Sequence, residues 1–233
     1  MAIIGFVKLY KADFIMHTRD YSNKSIAFLF TLYNYSFKKS PSGEIHQLFS
    51  NCLLTLTNQL KLYKFKKVDF HVADFGSNDC TSIKEHVEEN ILISAGVFIH
   101  EIEGRFGRGP GFNHILNNTD ISQYDCVVFI DADMLFTREV GLNMAFNYSL
   151  THKKPFFPVD NRIMGDSSTN RSKTGYGFAF VPTSFIIKNK TRFIKRYDWG
   201  NEDIDFHDKL KKHTKIMRNH TPGIFTCWHP RNK

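Results

Sequence analysis

The feature that most limits what this chain can fold into is an alternation. Short, nearly unbroken apolar runs at residues 26–33, 68–73, 95–102 and 124–130 are separated by stretches with helical periodicity. A strand with one wet face alternates apolar and polar residues. Ile26-Ala-Phe-Leu-Phe-Thr-Leu-Tyr33 does not, so both of its faces need cover. The stretch after it supplies one cover, because Ile45, Leu48, Phe49, Cys52, Leu53, Leu56 and Leu60 recur in helical steps of three and four. Strand, crossover helix and strand in repetition build a mainly parallel sheet flanked by helices. The expected class is α/β.

The second half departs from simple winding. A turn-rich segment at 74–79 and a charged helix near 82–93 follow the second strand. A glycine-rich loop at 104–111 and a short helix at 112–118 follow the third, and a helix at 138–150 follows the fourth. Residues 155–160 and 175–181 then read as strands that extend or cross the sheet around a polar loop at 161–174, so mixed strand directions are expected there. A last helix near 202–210 and an apolar run at 224–229 end the pattern. No repeat or low-complexity linker divides the chain. Residues 1–24 show no sustained period and read as a lead-in; residues 25–233 read as one domain.

A chain of 233 residues can carry such a core without staples. Cys52, Cys80, Cys126 and Cys227 form no C-x-x-C pair, which argues against a zinc knuckle or a redox dithiol. The longest apolar runs, at 2–7 and 26–32, are far short of a bilayer span, and the first lacks a charged lead-in. The expectation is a soluble, cytoplasmic chain with no transmembrane segment. A net charge of +8 points to anionic partners without choosing among them.

Four features could carry chemistry. Asp131-Ala-Asp133 stands where the most apolar strand ends, at the edge where open α/β sheets bind ligands. Two carboxylates so spaced can reach one hard cation such as Mn2+ or Mg2+, although most such pairs are solvated turns. In Trp199-Gly-Asn-Glu-Asp-Ile-Asp205 an aromatic and a glycine lead into acidic residues at a helix start. Acidic first turns commonly only complement the helix dipole. Asp203, however, shares a helix face with Phe206 and His207, and a carboxylate beside an aromatic wall suits a general base acting on a sugar hydroxyl. His229 lies near the chain end, where a lone histidine is more often structural than a ligand. In Gly104-Arg-Phe-Gly-Arg-Gly-Pro-Gly111 no phosphate-loop fingerprint is matched, yet Arg105 and Arg108 near a helix start favour a diphosphate.

Together and in this order, the four resemble one enzyme group, the GT-A (Rossmann-like) nucleotide-sugar glycosyltransferases. Phe129-Ile-Asp-Ala-Asp-Met-Leu-Phe136 is similar to their D-x-D strand end. Trp199-Gly-Asn-Glu-Asp-Ile-Asp-Phe206 is similar to the W-G-x-E-D segment of the β4-galactosyltransferases, chondroitin polymerase and chondroitin N-acetylgalactosaminyltransferases. Trp228-His-Pro230 resembles their terminal metal-binding histidine segment, residues 107–113 resemble their Arg/Asn loop, and Ala73-Asp74 resembles their nucleoside-contacting acid.

The resemblance implies an inverting, metal-dependent transfer of a hexose or N-acetylhexosamine from a UDP-sugar to a hydroxyl of a glycan or other acceptor. It implies Asp203, paired with Glu202, as the catalytic base; Asp131, Asp133 and His229 as ligands of Mn2+ or Mg2+; and Thr31, Asp74, Arg108, Asn113, Asp131 and Trp199 as donor contacts. Asn201 departs from the family's W-G-G, and no anchor or stem segment is expected ahead of the domain.

Two rival readings exist. The same acids on a basic chain could form a two-metal phosphodiesterase or nucleic-acid-binding site. The scattered Lys and Arg residues speak against nucleic acid. A sugar-binding module that has lost catalysis is the other, and the full set of expected residue types speaks against it.

Overall fold

A computed structural model describes residues 19–34, 38–39, 45–163, 169–171, 176–197 and 201–227. The elements of the first half are β1 (Arg19–Leu32), β2 (Lys38–Lys39), β3 (Ile45–His46), α1 (Leu48–Leu60), β4 (Tyr63–Asp74), α2 (Ile83–Asn90), β5 (Gly96–Glu101), α3 (Arg108–Asn118) and β6 (Cys126–Phe129). The second half contributes β7 (Met134–Phe136), α4 (Glu139–Phe146), β8 (Phe156–Ile163), β9 (Thr169–Arg171), β10 (Ala179–Pro182), α5 (Thr183–Asn189), α6 (Glu202–Lys211) and β11 (Met217–Cys227).

One sheet has the order β5-β4-β1-β6-β10-β8-β11-β7, with β9 attached to β8. The strands β5, β4, β1 and β6 are mutually parallel. The strand β10 then runs antiparallel to β6 and β8, β11 parallel to β8, and β7 antiparallel to β11. This is the α/β class expected, with its mixed half in the expected place.

The unbroken apolar run of β1 explains how the layers form. Ile26, Phe28, Phe30 and Leu32 enter one core with Phe49, Cys52, Leu53 and Leu56 of α1. Ala27 and Leu29 enter a second core on the opposite face with Phe112, Ile115 and Leu116 of α3 and Phe206 and Leu210 of α6. Successive strand residues point to opposite faces, so burial on both sides removes the polar alternation. Phe129 anchors the end of β6 in the second core, its ring within 5.0–5.1 Å of Phe112, Phe193 and Phe206. That clamp fixes where Asp131 leaves the sheet.

Several boundaries differ from the sequence reading. The strand β1 begins at Arg19, inside the expected lead-in, and pairs with β4 on both sides of a register shift between Tyr21 and Ser25. Part of the expected loop at 161–174 is strand, because Asn161, Arg162 and Ile163 continue β8 and pair with β9 and β11. The glycines expected in a loop at 104–111 in part open α3. A Cβ on Gly109 would stand 2.7 Å from the Ile194 carbonyl oxygen, and one on Gly111 would stand 2.7 Å from Thr31 Cγ2. Close approach, not loop formation, is what those glycines serve. The short elements β7 and α5 carry too few residues for a periodic signal. Among the described residues no helix is long and apolar enough to cross a membrane.

A buried polar network joins β4 to β5 and the segment before β6. His71 Nδ1 lies 3.1 Å from His100 Nε2 and His71 Nε2 lies 3.0 Å from the Tyr124 hydroxyl, which also donates to Asp69 Oδ2. Lys67 Nζ completes the group, 2.7 Å from Asp69. Burial, reinforced by His100, pushes His71 down from 6.5 to about 4. The unfolded chain therefore takes up a proton that the folded chain refuses. This contribution to stability is complete above pH 6.5 and is lost as the pH falls towards 4. Denaturant titrations at pH 7.0 and 4.5 should show a smaller loss for His71→Gln than for the parent; equal losses would remove His71 as the cause.

Candidate active site

The carboxyl ends of β1, β4 and β6, the start of α3 and the start of α6 meet at one edge of the sheet. Arg108, in the first turn of α3, holds them together. Its Nε donates to Asp131 Oδ1 at 2.6 Å, Nη2 donates to the Gly177 carbonyl oxygen, and Nη1 stands 3.7 Å from Glu202 Oε1. Burial works against the guanidinium charge, and Asp131, Glu202 and Asp203 overcome it, so the arginine stays charged. Two acidic motifs far apart in sequence thus share one cation.

The local charge balance is uneven. Burial raises Asp131 above the ordinary carboxylate range despite Arg108, and Asp133 and Asp203 push it the same way. Asp131 nevertheless keeps 38% of its side-chain surface open to water, so a dissolved cation can reach it. Glu202 Oε2 is buried without a hydrogen-bond partner among the described residues.

The base candidate Asp203 is oriented by backbone. Its Oδ2 accepts from Tyr176 N at 3.1 Å and its Oδ1 from Ile204 N at 2.9 Å. The Tyr176 ring lies 4.3 Å from the His207 ring, and Arg218 covers it at 4.2 Å from the centroid. The shared face expected for Asp203, Phe206 and His207 is present: Phe206 seals into the core and His207 meets Tyr176. Asn201, just before α6, has a left-handed backbone, φ 70°. Asparagine is among the few residues that adopt it readily, which explains why asparagine can stand where the resembling family has glycine.

The expected donor contacts divide. Thr31 and Asp74 sit buried at the ends of β1 and β4. Asp74 already accepts from Ser77 Oγ at 2.6 Å and Ser77 N at 3.1 Å, which shapes the turn beyond β4. Asn113 is committed elsewhere. Its Nδ2 donates to the Phe193 carbonyl and its Oδ1 accepts from Phe193 N, both at 2.9 Å, so its amide pins the segment after α5. Trp199 and His229 lie outside the described residues. The sequence reading missed Tyr33, stacked on Phe106, and the pair Tyr176 and Arg218. For Tyr33 the available signal was an aromatic residue directly following a strand end.

Among the described residues no three ligating side chains form a metal cluster. Asp131 and Asp133 supply two hard oxygen ligands whose mutual repulsion a cation would relieve, which fits a divalent ion of the Mn2+ or Mg2+ type. Cys227 N donates to the Asp133 carbonyl at 2.8 Å, because β11 pairs with β7.

Gly177 offers a steric test of this site. A Cβ there would stand 2.6 Å from Asp131 Oδ2 and 3.3 Å from Arg108 Nη2. Gly177→Ala should lower the thermal midpoint by several degrees, because the added methyl displaces Asp131 from Arg108. An unchanged midpoint would show that this contact does not shape the site.

No protein-family model matches the chain, and no curated protein matches it. Solved structures do. Residues 1–349 of TarS from S. aureus, in complex with UDP-GlcNAc, align with a TM-score of 0.65 at 14% identity, covering 89% of this chain and 60% of that one. The mannosyltransferase PcManGT from Pyrobaculum calidifontis, in complex with GDP-Man and Mn2+, aligns with a TM-score of 0.60 at 14% identity, covering 88% and 57%. The chain thus spans about 60% of the length of these neighbours. With four parallel strands leading into a mixed half and helices on both faces, this chain has the GT-A-like fold of those glycosyltransferases.

Proposed function

We propose that this chain is an inverting glycosyltransferase that moves a hexose or N-acetylhexosamine from a UDP-sugar to a hydroxyl of a glycan or other acceptor. The observation that carries the reading is Arg108, which brings Asp131 at the end of β6 and Glu202 at the start of α6 to one point. Support for a nucleotide-sugar donor comes from the neighbours of the same fold, TarS with UDP-GlcNAc and PcManGT with GDP-Man and Mn2+. Donor-side groups and a carboxylate base facing one another are what in-line displacement at an anomeric carbon needs.

Each residue then has a task. Thr31 and Asp74 line the nucleoside end, where Tyr33 and Phe106 add aromatic surface. Asp131, kept in place by Arg108, orients the ribose. Asp131, Asp133 and His229 would hold Mn2+ or Mg2+, which when bound offsets charge on the departing diphosphate. Asp203, its lone pairs aimed by Tyr176 N and Ile204 N, takes the proton of the acceptor hydroxyl. Trp199 would add a further donor contact.

A screen of UDP release across nucleotide sugars, with and without manganese, tests the reading. Manganese-dependent release with at least one donor, abolished in a folded Asp133→Ala variant, is the expected result. No release with any donor, or manganese dependence that survives Asp133→Ala, would overturn it.

A further inference from the structure

The far end of α6 carries a second feature, at the opposite end from Asp203. Ten residues of helix span about 15 Å, so this feature stands well clear of the cleft. A cavity of about 340 Å3 opens there, lined by Lys190, Arg192, Lys209, Lys212 and His213 together with Asn189 and Thr191, and none of its lining residues is acidic.

Two of the cations are fixed in place. Arg192 donates through Nε to Asn117 Oδ1 at 2.9 Å, through Nη1 to the Thr191 carbonyl at 2.9 Å and through Nη2 to the Leu116 carbonyl at 3.4 Å. Lys209 Nζ donates to the Arg192 carbonyl at 3.1 Å and pairs with Asp205 at 2.6 Å. Lys190 and Lys212 are exposed, and no ion pair or side-chain hydrogen bond of theirs is formed among the described residues.

Helix ends offer an ordinary explanation for basic residues here, because α3, α5 and α6 all terminate nearby and cations complement helix C-termini. The magnitudes do not balance. Three helix ends bring about −1.5 charges in all, and Asp205 brings one more. Four lysine and arginine side chains exceed that by roughly 1.5 positive charges, before His213 is counted. Lys190 adds a second oddity. It closes α5 in the left-handed region, φ 48°, a position where glycine or asparagine costs less.

We propose that this cavity binds a phosphoryl group, either as free phosphate or as a phosphate unit of a polyanionic chain. A fixed guanidinium, a pinned ammonium and two mobile ammonium groups around an acid-free pocket match the several acceptor oxygens of such a group. The site is separate from the proposed donor diphosphate position, which the Asp131 edge of the sheet defines.

The full chain, in buffer with EDTA at low salt, is titrated with inorganic phosphate by calorimetry and with a labelled short polyphosphate by fluorescence anisotropy. The same titrations are run on Lys190→Gly and on Lys190→Gly/Lys212→Ser. The expected result is saturable binding of at least one probe, weakened at least tenfold in the double variant. Binding of phosphate identifies a free ligand, and binding of polyphosphate alone identifies a chain. Lys190→Gly should melt at or above the parent temperature, since it relieves the left-handed residue, so weaker binding cannot be ascribed to unfolding. No binding by the parent, or equal binding by the double variant, overturns the inference. UDP-sugar hydrolysis measured on the same preparations reports separately on the proposed transfer and should be unaffected by either variant.

Discussion

Asp203→Asn is expected to lower sugar transfer by at least about a hundredfold while UDP affinity stays within a few-fold of the parent. General-base catalysis typically contributes 10²–10⁴-fold, and the amide keeps the size of the carboxylate but not its proton affinity. The orientation of the side chain is set by Tyr176 N and Ile204 N, both donors that an amide oxygen can still accept from in part. A purely structural role makes another forecast. As an acidic residue in the first turn of α6, Asp203 would contribute about 0.3–1 kcal/mol through the helix dipole, and its loss would leave transfer near normal. Thermal midpoint, UDP affinity and transfer rate on one preparation separate the two. A stable variant with the parental rate would take Asp203 out of the mechanism.

Arg108→Met should be the most damaging single change to the fold around the cleft. Only 14% of the arginine side chain is exposed, and its removal leaves Asp131, Glu202 and Asp203 crowded without their shared cation. Breaking a buried ion pair typically costs 3–5 kcal/mol; because Asp131 is partly open to water, about 3 kcal/mol is expected. That is a large share of the stability of an ordinary domain. The double variant Arg108→Met/Asp131→Asn removes one of the stranded charges and should recover part of the loss. Denaturant unfolding of the parent, the single and the double variant measures both effects. A loss under 1 kcal/mol, or a double variant no more stable than the single, would mean that Arg108 is not what holds the carboxylates together.

The local signals reached some of this site and stopped at identifiable points. Asp131-Ala-Asp133 was legible because it follows Cys-Val-Val-Phe, a strand apolar on both faces, and strand ends are where such folds expose side chains. The start of α6 was legible from its acidic first turn. The role of Asn113 was not. In the sequence it stands in an Arg/Asn loop pattern suited to a ligand, and only packing shows both ends of its amide occupied by the Phe193 backbone, 80 residues on. Tyr176 and Arg218 gave no signal either, since nothing local to each indicates that the Tyr176 N–H meets Asp203 or that the Arg218 guanidinium covers the Tyr176 ring.

By itself the sequence determined the α/β class, the parallel first half and the two acidic motifs, because each depends on spacings of a few residues that the helical and strand periods make readable. Tertiary structure alone decided which charges share Arg108, which glycines are there for close approach and how β11 returns to place Cys227 against the Asp133 backbone. Those outcomes depend on contacts between residues far apart in the chain, whose free energy is realised only when the sheet has closed and both of its faces are packed.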